Sequence, residues 1–211
     1  MFLDQTRRMH PDVCRFVSKA VYDGRLESID ECANQDIDAA EELTGTGVRS
    51  IAADHEGNTP VPGGGTADRR RGGGADRRAL HALGPERGRA RPERRDRRLA
   101  LNAQVRCLRE HLDAAGLTEV RVGTVDKFQG QEAAIAFFSM ATSSGEDVPR
   151  NVEFLYSRNR LNVAVSRARC IAVLVANPAL MTIRCRTVEQ MRLVNALCLL
   201  VEMGGGLRAS A

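Results

Sequence analysis

Three long apolar runs constrain this chain more than any other feature. VRVGTV at 120–125, AIAFFSM at 134–140 and CIAVLVA at 170–176 carry few polar residues. A strand with one wet face alternates apolar and polar side chains. A continuous run is what a strand covered on both faces requires. Helical sequence precedes the first run, lies between the second and third, and follows the third, an alternation of the β-α-β-α kind. That alternation predicts an α/β fold: a parallel sheet with helices packed on it.

The helices are marked at their ends. Pro11 opens the first, because its missing N–H would have no partner there. Val13, Phe16, Val17, Ala20 and Val21 follow at helical spacing, and Gly24 closes the segment. A short strand is expected around 48–53. Asn102 is an N-cap for AQVRCLREHLDAA, where Val105, Leu108 and Leu112 share a face and Gly116 lies just beyond. A helix over 159–168 leads into the third apolar run. Thr187 and Gln190 form a capping box before VEQMRLVNALCLLVE. Residues 204–211 read as a flexible tail.

Residues 59–100 differ in kind. The stretch from 61 to 100 holds twelve Arg against five Asp and Glu, a balance of +7. The whole chain carries +4, so the remainder is at −3. The basic character belongs to one segment and does not by itself identify a partner. Gly, Arg, Ala, Asp and Pro dominate the segment, and it has no apolar period. Such a composition buries too little surface to offset chain entropy.

Two readings of it stand open: a disordered basic linker, or a stretch translated out of frame. Codon degeneracy permits the second. Read one base later, codons for Ala67 to Gly88 allow PTAAEAAALIAALCTRWDPNG, an amphipathic helix and a turn. In the same phase Arg94 to Arg98 allows DVIVV, a buried-strand sequence. The chain thus divides into 1–58, the aberrant or disordered segment 59–100, a second globular part 101–203, and the tail.

The chemistry is concentrated in three clusters: RRMHP at 7–11, GTVDKFQGQE at 123–132 and RNRLNVAVSRAR at 158–169. In this order they resemble the RMHP segment, motif V and motif VI of the C-terminal motor domain of superfamily 1 DNA/RNA helicases, in the Upf-like and Dna-two-like branch. The resemblance covers roughly 1–58 and 101–203. It implies a RecA-like sheet, the P-loop NTPase fold in its second motor domain, which lacks the P-loop itself.

It also implies a division of labour. One motor domain cradles the nucleotide phosphates and Mg²⁺; the other supplies cations to the γ-phosphate. A guanidinium suits that task, because it stays charged and its planar fork matches phosphate oxygens. By resemblance Arg167 is the arginine finger, Arg8 a second γ-phosphate contact and Glu132 a nucleotide-sensing carboxylate. Gln129 and Gly130 form a tight turn beside the nucleotide. Thr124, Lys127 and Ser139 are contacts to the nucleic-acid backbone. The implied cofactor is ATP with Mg²⁺, held mainly by an N-terminal RecA-like domain encoded elsewhere. The implied partner is single-stranded DNA or RNA.

Other motif residues have plainer readings. Asp126 orients its neighbours or caps a turn. Asn162 ties motif VI to motif V. His10 is a packed helix-start residue and Phe128 a core residue. Arg158, Arg160 and Arg169 are helix charges or rim contacts. Two departures from the family pattern stand out. Arg7 occupies a position that is often aromatic, and RRDRRLAL replaces the interior strand expected before NAQV. The second leaves a gap in the middle of the expected sheet.

Several function classes are excluded or disfavoured. There is no GxxxxGK[ST] P-loop and no Asp-Glu pair after an apolar strand, so the chain alone is expected not to hydrolyse ATP at motor rates. The six cysteines form no CxxC pair, so unpaired thiols are expected and no metal site. No apolar stretch is long enough to span a bilayer, and a soluble cytoplasmic protein is expected. Two further readings compete with the helicase half. One is a decayed, inactive remnant. The other is a nucleic-acid-binding module using the Arg/Gly segment as a disordered arm.

Overall fold

The computed structural model describes residues 4–38, 43–53, 96–99, 102–140, 158–185 and 187–205. A five-stranded, wholly parallel sheet forms the centre. Its strands are β3 (Gly47–Ala52), β4 (Asp96–Leu99), β5 (Arg121–Thr124), β6 (Ala133–Ser139) and β7 (Ala168–Ala176), in the order β3-β7-β6-β4-β5. Two short parallel strands, β1 (Gln5–Thr6) and β2 (Glu27–Ser28), pair separately. The helices are α1 (Pro11–Val21), α2 (Asn102–Ala114), α3 (Arg158–Val165) and α4 (Val188–Met203).

Strand β7 shows why its sequence is apolar throughout. Ala172, Leu174 and Ala176 join the core beneath α1, α3 and α4. Ile171, Val173 and Val175 join the opposite core, which contains Leu112 of α2. Alternate side chains therefore enter two different cores, and neither face can be polar. Phe138 and Phe137 of β6 divide in the same way.

The interior strand is present. Asp96–Leu99 pairs in parallel with β5 on one side and β6 on the other. The gap expected from RRDRRLAL is thus corrected: four residues of the charged segment take that place. Backbone hydrogen bonding does not discriminate among side chains, so a DRRL sequence can fill a ladder position its composition argues against. The remaining calls on 59–95 and on Leu101 lie outside the described residues.

The helix ends follow local chemistry. His10 caps α1, its Nδ1 accepting from the Asp12 N–H at 3.1 Å, and Pro11 stands at the first helical position. Gly24, with φ +77°, donates its N–H back to Ser18 O at 3.0 Å. Thr187 caps α4, its Oγ1 accepting from Gln190 N–H at 3.2 Å. Helix α2 includes Asn102 itself as its first residue.

The expected tail also needs correction at its start. A Cβ on Gly204 would sit 3.0 Å from backbone atoms of Arg49 and Ser50, so the end of α4 packs directly on β3. No helix among the described residues is long and apolar enough to cross a membrane.

Candidate functional site

The helix expected over 159–168 ends early, at Val165, and β7 begins at Ala168. Ser166 and Arg167 form a two-residue junction between them. Ala133 N–H donates to Arg167 O at 3.0 Å, so the junction is anchored at the amino end of β6. The Arg167 side chain is then fixed by carbonyls and a hydroxyl. Its Nε donates to Val163 O at 3.1 Å, Nη1 to Gln131 O at 3.3 Å and Nη2 to Ser166 Oγ at 3.2 Å.

Arg8 arrives from the other end of the sequence. His10 N–H donates to Arg169 O at 2.7 Å, docking the RRMHP segment on the start of β7. Ser28 Oγ donates to Met9 O at 2.5 Å and Gln35 Nε2 to Arg8 O at 3.1 Å. With its backbone held, Arg8 places Nε 2.8 Å from Glu132 Oε2 and Nη1 3.3 Å from Ser166 O. Glu132 stands immediately before β6.

These three residues, far apart in sequence, line one cleft of about 490 Å³ together with Arg7, Asn162 and Ser166. The volume lies in the range of small-ligand sites. Three arginines line it, against the single acidic residue Glu132. Burial, and next the charge of Arg8, push the Arg167 pKa down. Like charges drawn together in a partly desolvated site favour an anionic occupant.

Several sequence assignments change in detail. Asn162 does not tie motif VI to motif V: its Nδ2 donates to Tyr22 Oη at 3.2 Å, reaching the end of α1. Arg160 makes the motif V link, through Asp126 Oδ2 at 2.9 Å. Arg158 donates to Val21 O at 2.8 Å and so holds α3 to the end of α1. Gln129 and Gly130 are exposed and do not line the cleft. Gly130 serves the turn through its φ of +84°, with open space around its α-carbon.

The nucleic-acid candidates lie elsewhere. Thr124 and Ser139 are both in register with Leu99, at the carboxyl edge of the sheet. Thr124 is half-buried. Ser139 is 2% exposed, closed in by its neighbours rather than presented on a surface. Lys127 is exposed beside β5. The cleft of Arg8, Glu132 and Arg167 therefore opens at the amino ends of β6 and β7, and the nucleic-acid candidates stand at other edges. That is the reverse of the usual carboxyl-edge placement of α/β sites. Sequence reasoning missed Ser166 and Gln131 as partners of Arg167, because their contributions come through backbone carbonyls and one short hydroxyl. The described residues contain no group of three metal-ligating side chains.

Comparison with known proteins supports the resemblance over the part of the chain that holds 123–132 and 158–169. A family model described as an AAA domain matches residues 100–179. The chain is 39% identical over 77 residues to a Danio rerio protein named as helicase mov-10-B.1, covering 35% of this chain and 8% of that protein. It is 46% identical over 68 residues to DNA polymerase alpha-associated DNA helicase A of Schizosaccharomyces pombe, covering 32% and 10%. It is 33% identical over 78 residues to RNA helicase Mov10l1 of Mus musculus, covering 36% and 7%. The chain thus spans a small fraction of the length of the relatives it matches.

Proposed function

We propose, from the premise that residues 100–179 belong to a superfamily 1 helicase domain of the Upf-like branch, that this chain is the C-terminal half of an ATP-dependent nucleic-acid helicase. One observation carries the reading: Arg8, Glu132 and Arg167 meet in a single cleft that has more positive than negative charge. A nucleoside triphosphate fits that imbalance. Bound with Mg²⁺, it supplies the phosphoryl group and its leaving group.

The chain's own residues bind and orient. Arg167 is aimed by Val163 O and Gln131 O, so little reorganisation separates it from a phosphate across the cleft. Arg8 is held on Glu132 and has a second anchor at Ser166 O. An incoming phosphate competes with Glu132 for Arg8, and this exchange gives Glu132 its sensing role. Glu132 is the one carboxylate lining the cleft, too few ligands for Mg²⁺. The metal is therefore assigned to an N-terminal RecA-like domain outside this sequence. Single-stranded DNA or RNA is the track, and the cytoplasm the location.

The test is ATP turnover on single-stranded nucleic acid. The chain alone is expected to show none. Mixed with a P-loop-bearing first motor domain, it is expected to restore turnover, and Arg167→Ala to reduce it on the order of 10³-fold. Turnover by the isolated chain that vanishes in Arg167→Ala would refute the half-site reading.

A further inference from the structure

Among the six cysteines, Cys107 alone is exposed. Cys14, Cys32 and Cys170 are buried, and Cys185 and Cys198 are half-buried. The exposed thiol stands on α2, whose Leu108 and Leu112 are 0% exposed and seat the helix on the sheet. His111 follows one turn later, and residues four apart share a helix face. The two side chains meet, with Cys107 Sγ 3.7 Å from His111 Nδ1.

The backbone fixes which partner donates. His111 Nδ1 is also 2.7 Å from Cys107 O. A carbonyl oxygen only accepts, so Nδ1 carries the hydrogen. One N–H is therefore shared between that carbonyl and the sulfur. A donor beside sulfur favours thiolate over thiol, because a hydrogen bond to the charged form is the stronger one. The imidazole is a donor here and not the base, so the thiol proton leaves to solvent. Arg106 and Glu110, the exposed neighbours on the helix, carry opposite charges and offset each other. The enclosed thiols have the contrary setting: burial pushes Cys14, Cys170 and Cys198 up and keeps them protonated.

We propose that Cys107, with His111 as its positioning residue, is a thiol–disulfide exchange site that takes up the disulfide of a small soluble thiol. The Cys107 thiolate attacks one sulfur of that disulfide. A bond from Sγ forms, the old S–S bond breaks, and the second half leaves as a thiolate that solvent protonates. Cys107 is oxidised and the departing sulfur reduced, with no other oxidant. Neither Arg167 nor nucleotide takes part.

The full chain is incubated with oxidised glutathione at pH 7 and pH 10, and the modified cysteine is located by peptide mass spectrometry. At pH 7 Cys107 is expected to react at least about tenfold faster than Cys185 or Cys198. The shared N–H raises the thiolate fraction up to about tenfold, and the lower nucleophilicity of a stabilised thiolate returns part of that. His111→Leu should thus slow Cys107 roughly three- to tenfold at pH 7. At pH 10 an exposed thiol is ionised in either chain, and the two rates should agree. Urea unfolding of the unsubstituted chain gives an independent reading should His111→Leu fail to fold. It should slow Cys107 at pH 7 while speeding Cys185 and Cys198. An adduct that forms first on another cysteine, a pH 7 rate that His111→Leu leaves unchanged, or a Cys107 rate that rises on unfolding overturns the site.

Discussion

Replacing Arg97 and Arg98 together by valine should stabilise this protein substantially. Strand β4 is interior, hydrogen-bonded on both sides. Position 97 is in register with Val122 and Phe137, and position 98 with Gly123 and Phe138. Phe137 and Phe138, the register neighbours of these positions on β6, are 1% and 5% exposed and belong to opposite cores. Burying a valine-sized side chain contributes ~1.5–3 kcal/mol. Two sites give about 3–6 kcal/mol, a large part of the ~5–15 kcal/mol that holds a natural domain together.

For a domain of this size each kcal/mol moves Tm by roughly 2–4 °C. The double substitution should therefore raise Tm by roughly 6–24 °C, and move the urea midpoint upward without changing the slope. Thermal and urea melts followed by circular dichroism measure both. Arg192→Val on the exposed face of α4 is the control, with an expected change within about 0.5 kcal/mol. A Tm that stays level or falls in the double variant would refute the placement of DRRL inside the sheet. It would also remove the structural ground for reading that segment as a displaced apolar strand.

Other outcomes follow from single contacts. Thr187→Ala removes the α4 cap and should cost about 1 kcal/mol, seen as a lower Tm, with Thr187→Ser close to the original. Gly204→Ala forces a methyl group against the β3 backbone and should destabilise by about 1–3 kcal/mol in a urea melt. Glu132→Gln loses an ion pair whose partners are 31% and 48% exposed, so stability should change by less than about 1 kcal/mol while affinity for an ATP analogue shifts. Burial pushes the Cys14 thiol from 9.0 up to about 11. The unfolded thiol ionises first, so stability is intact below pH 9 and falls between pH 9 and 11, by about 3 kcal/mol. Urea midpoints across that range should decline less in Cys14→Ala.

The sequence alone determined the architecture and the identity of the chemical groups. Continuous apolar runs admit few arrangements besides a covered parallel sheet, because every side chain on such a strand must leave water. The end signals of α1 and α4 depend on hydrogen bonds within a few residues, so Pro11, Gly24 and Thr187 were legible without a fold. The motif arginines were visible as types suited to phosphate. Tertiary structure decided which of them meet. The helix before β7 stops at Val165, because the strand pairing that begins at Ala168 claims the backbone after it. This moves Arg167 off a helix face and into a junction beside Glu132. Asn162 turned to Tyr22 and Arg160 to Asp126, choices that depend on how α1 and the motif V turn pack around α3. The placement of DRRL was least visible of all. Backbone pairing has no side-chain signature, and only neighbouring strands on both sides can recruit so polar a segment.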